Sequence, residues 1–347
     1  MTQTRPAKST VTARDVAREA GVSTGTVSRV INAHPAVTED VRRKVLSAVE
    51  RLGWQPNAVA RSMRTARTRT IGCVFSDFRN PLYANIMQGA EEALAADNYT
   101  LMVASSGGSA AREASLIGLF ASRRTDGLIL SISDERDPRI VEAIRAARLP
   151  TVLIEREIDV DAYSVGTDHR GGIRKAVEYL FSLRHERIAL LTGGQSTRAG
   201  LERLAGFIEA HKRAGKAVDP AMLRLESLSS DYAFSETQSL MEMKAPPTAI
   251  LAGGNLMLAG VLRAAHILNL RLPQDLSVVC SGDTELAELA TPSVTAIRWD
   301  LGAVGHRAAS LLLSNFAGAT IALGTRIELP NEIVLRGSCC PPFKANF

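Results

Sequence analysis

The apolar residues near the start of the chain recur at helical spacing in three short segments. Each segment follows a residue whose side chain can cap a helix, and these residues are Thr12, Ser23 and Thr38. Asp15 lies three residues after Thr12, as in a capping box, and Gly21 suits the left-handed end of a helix. The predicted apolar faces are Val16, Ala17 and Ala20, then Val27, Val30 and Ile31, and finally Val41, Val45, Leu46, Val49 and Leu52. The pattern therefore predicts three short helices, with a glycine turn between the first two.

From Thr70 onward, short apolar runs alternate with longer helical segments. The candidate strands are TIGCVF, YTLMVA, DGLILS, PTVLIE, YSVGT, RIALLT, TAILA and LSVVCS. The candidate helices are 82–96, 112–122, 138–147, 170–183 and 199–214. Repeated βα units predict doubly wound parallel sheets in two similar lobes. The predicted fold class is therefore an α/β body that follows an all-α head.

The end of the chain is predicted to return to the first lobe. The segment VTAIRWD crosses back, and the helix LGAVGHRAASLLL and the strands near 325–336 complete that lobe. We therefore expect a body of residues 70–340. Its first lobe would comprise residues 70–167 plus 296–327, and its second lobe residues 168–295 plus 328–340. Residues 1–10 are expected to be a disordered tail, and residues 341–347 a short tail.

Charge divides the chain into a basic head and a mildly acidic body. Residues 1–69 carry 13 Lys/Arg and 5 Asp/Glu, whereas the remainder carries 28 and 31, within an overall net charge of +5. This asymmetry indicates that only the head meets a polyanion, although a solvated basic tail would have the same composition. The sequence has no membrane-spanning apolar run, no secretion signal and no disulfide framework among its four cysteines, so we expect a cytoplasmic, nucleoid-associated protein.

Two helices joined by a glycine turn predict a helix-turn-helix over residues 11–55, whose second helix can enter the major groove of DNA. The small residues on that helix allow its backbone to approach DNA closely. Arg29 can bind guanine with two hydrogen bonds, while Ser28 and Asn32 can contact phosphates. The alternative is a plain structural helical hairpin. The exposed Ser, Thr and Arg side chains and the local positive charge favour DNA.

Residues 56–69 combine a candidate helix start at Pro56 with four arginines around small apolar residues. Such a short helix is unstable alone in water and would need DNA and a second copy of itself to form. An apolar side chain at its end could insert between base pairs in the minor groove. An arginine-rich linker fits the same composition, and both interpretations stay open.

Three segments in order resemble the start of a LacI/GalR-family transcriptional repressor: DVAREAGVSTGTVSRVIN, VTEDVRRKVLSAVERLGWQPNAVARSM and TIGCVFSDFRNPLYANIMQGAEEAL. The resemblance implies a hinge helix, a periplasmic-binding-protein-like body and base reading by Thr24 and Gly25. It places the intercalating hinge leucine at Met63, and because Gly25 has no side chain, specificity would depend on Thr24, Arg29 and DNA shape. The predicted DNA-binding residues are Thr12, Ser23, Thr24, Gly25, Thr26, Ser28, Arg29, Asn32, Asn57, Ala60, Met63 and Arg64.

Polar side chains follow most of the predicted strands, where ligands bind in doubly wound sheets. Hydrogen-bonding groups with a few aromatic rings suit a polyhydroxylated ligand, although any one of these residues taken alone is more typical of a solvated loop. The family resemblance implies that Arg203 grips an effector and that Tyr232 forms a wall of its pocket. The predicted effector-binding residues are Asp77, Asn80, Tyr83, Arg156, Asp168, Arg203, Tyr232, Asn255 and Asp283.

Two positions depart from the family pattern. The usual Asn-Asp after the seventh strand is Gly254–Asn255, and the first aspartate of the usual Gly-aromatic-Asp-Asp motif is Gly282. The pocket would then bind a different or larger ligand, bind an anionic sugar acid or sugar phosphate beside Arg203 and Arg156, or no longer respond to a small molecule. From the sequence we favour the anionic ligand.

The sequence predicts a regulator and not an enzyme, because it shows no catalytic constellation, no nucleotide-binding glycine loop and no metal-ligand spacing. We therefore expect no cofactor and no metal. The expected partners are operator DNA, a second copy of the chain and a sugar-like or sugar-acid effector. No leucine heptads follow the body, so we expect a dimer. Control by a protein partner stays open as an alternative, and a sugar-binding protein or an enzyme is the rival class.

Overall fold

The computed structural model describes residues 11–31, 34–54 and 67–342. The chain divides into two compact units, a headpiece that ends at Thr68 and a body that begins at Arg69. No helix in the described residues is both long enough and apolar enough to cross a lipid bilayer. The confirmed fold class is a helical head followed by an α/β body with two sheets.

The headpiece consists of three helices, α1 (Ala13–Ala20), α2 (Thr24–Ile31) and α3 (Glu39–Leu52). The capping box at Thr12 is present, because the Asp15 carboxylate accepts hydrogen bonds from the Thr12 amide (3.0 Å) and hydroxyl (2.7 Å). Gly21 ends α1 with a φ of 65°, a left-handed conformation that glycine adopts at little cost. The predicted turn between α1 and α2 is thus confirmed.

The small core of the headpiece contains residues from all three helices. Its buried members are Val16, Ala17, Val27, Val30, Val45 and Ala48. The prediction that Leu46 belongs to this core is wrong, because Leu46 is 48% exposed. The side of α3 that faces the core is set by Val45 and Ala48, and at about 100° per residue Leu46 lies about 100° from Val45 and about 160° from Ala48, so it points to solvent.

The body has a first sheet of six parallel strands in the order β11-β5-β4-β3-β1-β2. Its strands are β1 (Thr70–Phe75), β2 (Thr100–Ser105), β3 (Gly127–Ser131), β4 (Thr151–Ile154), β5 (Tyr163–Thr167) and β11 (Arg326–Leu329). The helices of this lobe are α4 (Leu82–Ala96), α5 (Ala110–Ser122), α6 (Pro138–Ala147) and α12 (Leu301–Phe316). Helices cover both faces of the sheet, which explains why β1, β3 and β4 are almost continuously apolar.

The second sheet has the order β12-β10-β9-β8-β6-β7, with only β12 antiparallel to its neighbour. Its strands are β6 (Ile188–Leu191), β7 (Leu223–Arg224), β8 (Ala249–Ala252), β9 (Ser277–Ser281), β10 (Thr295–Arg298) and β12 (Glu332–Val334). The helices of this lobe are α7 (His169–Ser182), α8 (Arg198–Arg213), α9 (Ser230–Met241), α10 (Asn255–Ile267) and the short α11 (Glu285–Leu289).

The chain crosses between the two sheets three times, and two of these crossings differ from the prediction. The prediction that the first lobe resumes at residue 296 is wrong, because β10 pairs with β9 and β12 in the second sheet. The crossing therefore follows Arg298. Likewise β11 pairs with β5 through Leu329, so the last crossing lies beyond residue 327, and β12 does not complete the first lobe.

Candidate DNA-reading helix and interlobe cleft

The second helix of the headpiece has one buried side and one exposed side. Val27 and Val30 are 1% and 4% exposed and anchor α2 to the core. Thr24, Gly25 and Arg29 are exposed, Ser28 is half-buried, and at about 100° per residue the four share an arc of about 140° that faces away from the valines. Thr24, Gly25, Ser28 and Arg29 therefore form one contiguous surface, whereas Thr26, another predicted DNA contact, lies outside this arc.

The start of α2 is electrostatically different from the starts of its neighbours. The first turn of α1 contains Asp15 and that of α3 contains Glu39 and Asp40, but the first turn of α2 contains no acidic residue. A helix N-terminus with free N–H groups and no internal carboxylate attracts phosphate. The geometry suits a contact between this end of α2 and a DNA backbone.

In the described part of the headpiece, the ion pairs between arginines and carboxylates join residues of α1 and α3 and not of α2. Arg18 pairs with Asp15, Arg42 with Glu39, Arg43 with Asp40 and Arg51 with Glu19. Within residues 11–31 and 34–54, Arg29 forms no ion pair with a carboxylate. Its positive charge is therefore available to a ligand on the exposed side of α2.

The Ser23 hydroxyl caps the start of α2. Ser23 Oγ accepts the Thr26 amide (3.1 Å) and lies 2.9 Å from the Thr26 hydroxyl. A hydroxyl retains further donor or acceptor capacity, so Thr12, Ser23 and Thr26 can still contact phosphates. Asn32, Asn57, Ala60, Met63 and Arg64, together with the predicted hinge helix, lie outside the described residues.

In the body, the predicted effector residue Arg203 lies between the two lobes. It belongs to α8, its side chain is almost fully buried, and its Nε has no hydrogen-bond partner in the described residues. Burial lowers the pKa of Arg203 to about 10. The nearby Arg156 lowers it further, whereas Glu155, Cys280 and Tyr83 raise it. Because these neighbours come from both lobes, Arg203 lies at the junction between the lobes.

Glu155 and His169 form a buried pair beside Arg203. His169 Nε2 lies 2.8 Å from Glu155 Oε2, which also accepts the Thr167 amide (3.2 Å). Burial lowers the pKa of His169. Burial also disfavours the charge on Glu155, but His169, Thr167 and Arg203 together lower the pKa of Glu155. The two side chains therefore share a buried hydrogen bond, and the pKa of each is lowered.

The predicted residues of the first strand-end loop have different roles. Tyr83 is buried, and its hydroxyl lies 3.0 Å from Ser76 Oγ and 3.2 Å from Ser131 Oγ. Asn80 Oδ1 accepts the Leu82 amide (3.2 Å) at the start of α4. Asp77 forms a bidentate pair with Arg79, whose hydrogen bonds lower the pKa of Asp77. Tyr83 lies within electrostatic reach of Arg203.

Arg156 and Asp168 also form bonds near the cleft. Arg156 donates to the carbonyl oxygens of Ile132 (2.5 Å) and Glu155 (2.8 Å), within its own lobe. Asp168 caps α7 by accepting the Gly171 amide (2.7 Å). A cavity of about 20 Å³, roughly the volume of one water, remains beside Glu155, Arg156 and His169.

On the second lobe, Asn255 is buried at the start of α10. Its Oδ1 accepts the Thr284 hydroxyl (3.2 Å), while its Nδ2 has no partner in the described residues. Asp283 forms a bidentate pair with Arg336 (2.7 and 2.9 Å), so its charge is balanced within its own lobe. The Tyr232 hydroxyl accepts the Glu226 amide, and its ring packs on the core of this lobe.

Sequence reasoning did not select three residues that the structure brings to this region. His169 contacts Glu155, Trp299 packs edge-on against His169 with ring centroids 5.7 Å apart, and Trp299 Nε1 is buried with no partner in the described residues. Arg336 neutralises Asp283. His169 and Trp299 closely follow the ends of β5 and β10. The rule that ligands bind beyond the ends of the strands (the strand-end rule) could therefore have identified them, whereas no feature of the sequence indicated a role for Arg336.

Comparison with known proteins identifies the family. A model described as "Bacterial regulatory proteins, lacI family" matches residues 12–57, and a "Periplasmic binding protein-like domain" matches residues 177–339. The ribose operon repressor of Escherichia coli (strain K12) is 31% identical over 328 residues, which cover 94% of this chain and 99% of the relative. The chain belongs to the lacI family.

Solved structures of transcriptional regulators agree with this assignment. The lac repressor dimer bound to operator and the anti-inducer ONPF has a TM-score of 0.84 and 27% identity, over 95% of this chain and 99% of that chain. The CelR–cellobiose complex has a TM-score of 0.72 and 30% identity, over 94% and 99%. The protein is therefore a DNA-binding transcriptional regulator of the lacI family and not an enzyme.

The two departures from the lacI-family pattern have different surroundings. Gly282 has a φ of 114°, and a Cβ there would lie 2.8 Å from Asn255 Nδ2, so the Asn255 amide fills the space beside it. A Cβ on Gly254 would lie 3.8 Å from Leu228 Cδ2, an ordinary contact. Where the family usually has an aspartate, this chain therefore has Gly282 with the buried side-chain amide of Asn255 beside it.

Proposed function

We propose that this regulator represses transcription by binding a two-fold symmetric operator as a homodimer, with α2 in the major groove. The observation that carries this proposal is the exposed arc of Thr24, Gly25, Ser28 and Arg29 opposite the buried valines. The acid-free start of α2 would bind a phosphate, and Arg29 would read a guanine. A protein that binds chromosomal DNA in this way would work in the bacterial cytoplasm.

Exposed apolar side chains support the dimer. Met102 and Val103 are exposed on β2, which is an edge strand of the first sheet. In the second lobe, Leu286 and Leu289 are exposed on α11, as is Ile267 at the end of α10. A second copy would cover such apolar surface, and its two-fold symmetry would require a two-fold operator. The lac repressor structure matched above is a dimer on its operator.

The cleft would bind a polyhydroxylated effector. Three buried polar atoms lack partners in the described residues around it: Arg203 Nε, Asn255 Nδ2 and Glu155 Oε1. Each unpaired buried group costs about 1–3 kcal/mol, so a ligand with hydroxyls that donate and accept would stabilise the closed lobes. The relatives include a ribose operon repressor and a cellobiose complex, which agrees with a sugar.

The charge of the cleft favours an uncharged sugar over the anionic ligand predicted from the sequence. Glu155 lies beside Arg203 and balances its positive charge. Arg156 donates to two backbone carbonyls, and Asp283 is neutralised by Arg336. Calorimetric titration with neutral sugars, sugar acids and sugar phosphates tests this assignment. Binding of neutral sugars alone supports it, and binding of a sugar acid or sugar phosphate alone contradicts it.

The DNA-binding proposal is tested with Arg29→Ala and, as a matched control, Arg51→Ala. Both variants remove one headpiece arginine, but Arg51 pairs with Glu19. Arg29→Ala is expected to weaken binding to the preferred operator by about 1–3 kcal/mol and to relax one base preference. Arg51→Ala is expected to have a much smaller effect. Fluorescence anisotropy at several salt concentrations measures both, because each neutralised phosphate contributes to the salt dependence.

If Arg29→Ala weakens binding to all duplexes equally, Arg29 contacts phosphate and does not read a base. If the wild-type protein ignores duplex DNA at every salt concentration, the proposed function fails. Control of the regulator by a protein partner predicts a different result: operator binding that no sugar in the panel changes.

A further inference from the structure

One loop of the first lobe is bonded directly to the second lobe. Glu135 follows β3, and its amide donates to the carbonyl oxygen of Ser196 (3.1 Å). The Glu135 carboxylate accepts the backbone amide of Arg198 through Oε2 (2.8 Å). Ser196 and Arg198 belong to the second lobe, at the start of α8. Two hydrogen bonds therefore run from one residue across the cleft.

The Glu135 carboxylate lies at the N-terminus of α8. Arg198 is the first residue of α8, after the cap Thr197, so its amide has no acceptor inside the helix. A carboxylate at this position satisfies that donor and also meets the positive end of the helix dipole. Glu135 thus occupies the helix terminus that would otherwise accept an anion.

Surrounding charges reinforce the same junction. The Arg198 guanidinium pairs with Glu157 of the first lobe, and Arg156 Nε lies 4.0 Å from Glu135 Oε1. The Glu135 side chain is only 10% exposed. Burial raises the pKa of Glu135, while Arg156 and the Arg198 amide oppose that change. Glu135 Oε2 would accept the Arg198 amide in either protonation state, provided that the proton resides on Oε1.

We propose that Glu135 is a positioning residue that clamps α8 to the first lobe and so holds the cleft closed. Helix α8 also carries Arg203, less than two turns after Arg198. The clamp would therefore fix where Arg203 stands relative to Tyr83 and Glu155 on the opposite wall. This last consequence rests on the proposed effector function, whereas the clamp itself does not.

The bond to the Arg198 amide can be removed without breaking α8. Proline is well tolerated at the first position of a helix, and the residue before a proline must be extended. Thr197 already has φ −123° and ψ 145°, so Arg198→Pro fits the backbone. Arg198→Ala is the matched control, because both variants lose the guanidinium and only proline loses the amide hydrogen.

The measurement is hydrogen exchange of the Glu135 amide, in the full-length protein without ligand or DNA. Glu135 donates this amide to Ser196, so its exchange reports opening of the junction. We expect exchange about tenfold faster in Arg198→Pro than in Arg198→Ala, because a hydrogen bond to a charged group is lost. Glu135→Ala, which removes the same hydrogen bond and keeps the Arg198 guanidinium, is expected to exchange about tenfold faster than the wild type. Glu135→Gln, whose side-chain oxygen can accept the same amide, is expected to stay near the wild-type rate.

Equal exchange in the proline and alanine variants would overturn the clamp, since the guanidinium and not the carboxylate would then hold the lobes. Fast exchange in Glu135→Gln would also overturn it, and this variant keeps the test valid even if Arg198→Pro fails to fold. Neither result depends on operator binding or sugar titration, so failure of the clamp and failure of the proposed function are distinguishable.

Discussion

At the scale of single residues, Gly25 is the least expected member of the reading surface. A Cβ there would lie 3.6 Å from Ser23 Oγ, which is ordinary van der Waals contact, so the headpiece has room for alanine. Glycine inside a helix costs about 1 kcal/mol relative to alanine. Neither packing nor helix stability requires the glycine, and we infer that it allows the backbone of α2 to approach a base pair.

Replacing Gly25 with alanine should separate these two effects. We expect the headpiece to unfold with the same or a slightly higher free energy, by up to about 1 kcal/mol, while affinity for the preferred operator falls. Gly118→Ala is the control, because Gly118 lies on α5 and a Cβ added there would meet no atom within 4 Å. Thermal unfolding and fluorescence anisotropy measure the two effects. Unchanged affinity and base preference in Gly25→Ala would show that position 25 does not face DNA.

The strand-end rule anticipated only part of the cleft. It selected Tyr83 and Asn255, and the family resemblance indicated Arg203; all three are buried. It also selected Asp283, whose charge is neutralised by Arg336 in a distant segment. The spacing of residues along the chain shows which side chains leave the strand ends, but it does not show which of them find a partner within their own lobe.

At the scale of elements, local chemistry made the helices predictable. Thr12, Ser23 and Gly21 have side chains or backbone preferences that act within a few residues, and the structure places them at helix ends as expected. The sequence could not show to which lobe β10 belongs, because that depends on contacts between residues far apart in the chain. The lobe depends on pairing with β9 and β12, and no local pattern distinguishes one parallel sheet from the other.

At the scale of the whole molecule, buried histidines should make stability depend on pH. Burial lowers the pKa of His169, His185 and His211 from 6.5. As pH falls through 6.5, the unfolded chain binds protons at these positions before the folded chain does, so the unfolding free energy decreases. Glu155, whose pKa is lowered, contributes stability that is lost only below its ordinary value of 4.5.

The test compares wild type with His169→Gln at pH 7.5 and 5.5 by chemical unfolding. Glu113 and Glu135, whose pKa values burial raises, change stability in the opposite sense, so the difference between the two proteins is the informative quantity. We expect a smaller loss of stability at pH 5.5 in His169→Gln, by at most about 1.4 kcal/mol per pH unit. The exposed His306→Gln is the control. Equal losses in all three proteins would show that His169 does not titrate in this range.

The central claim, that two copies of α2 read DNA together, is tested most directly by selecting bound sequences from a random duplex library with the full-length protein. At a salt concentration near the physiological value of about 0.15 M, the account predicts enrichment of an inverted repeat. The half-sites of that repeat should change when Gly25 or Arg29 is replaced. Enrichment of no sequence, or of a motif without two-fold symmetry that neither substitution alters, would contradict it.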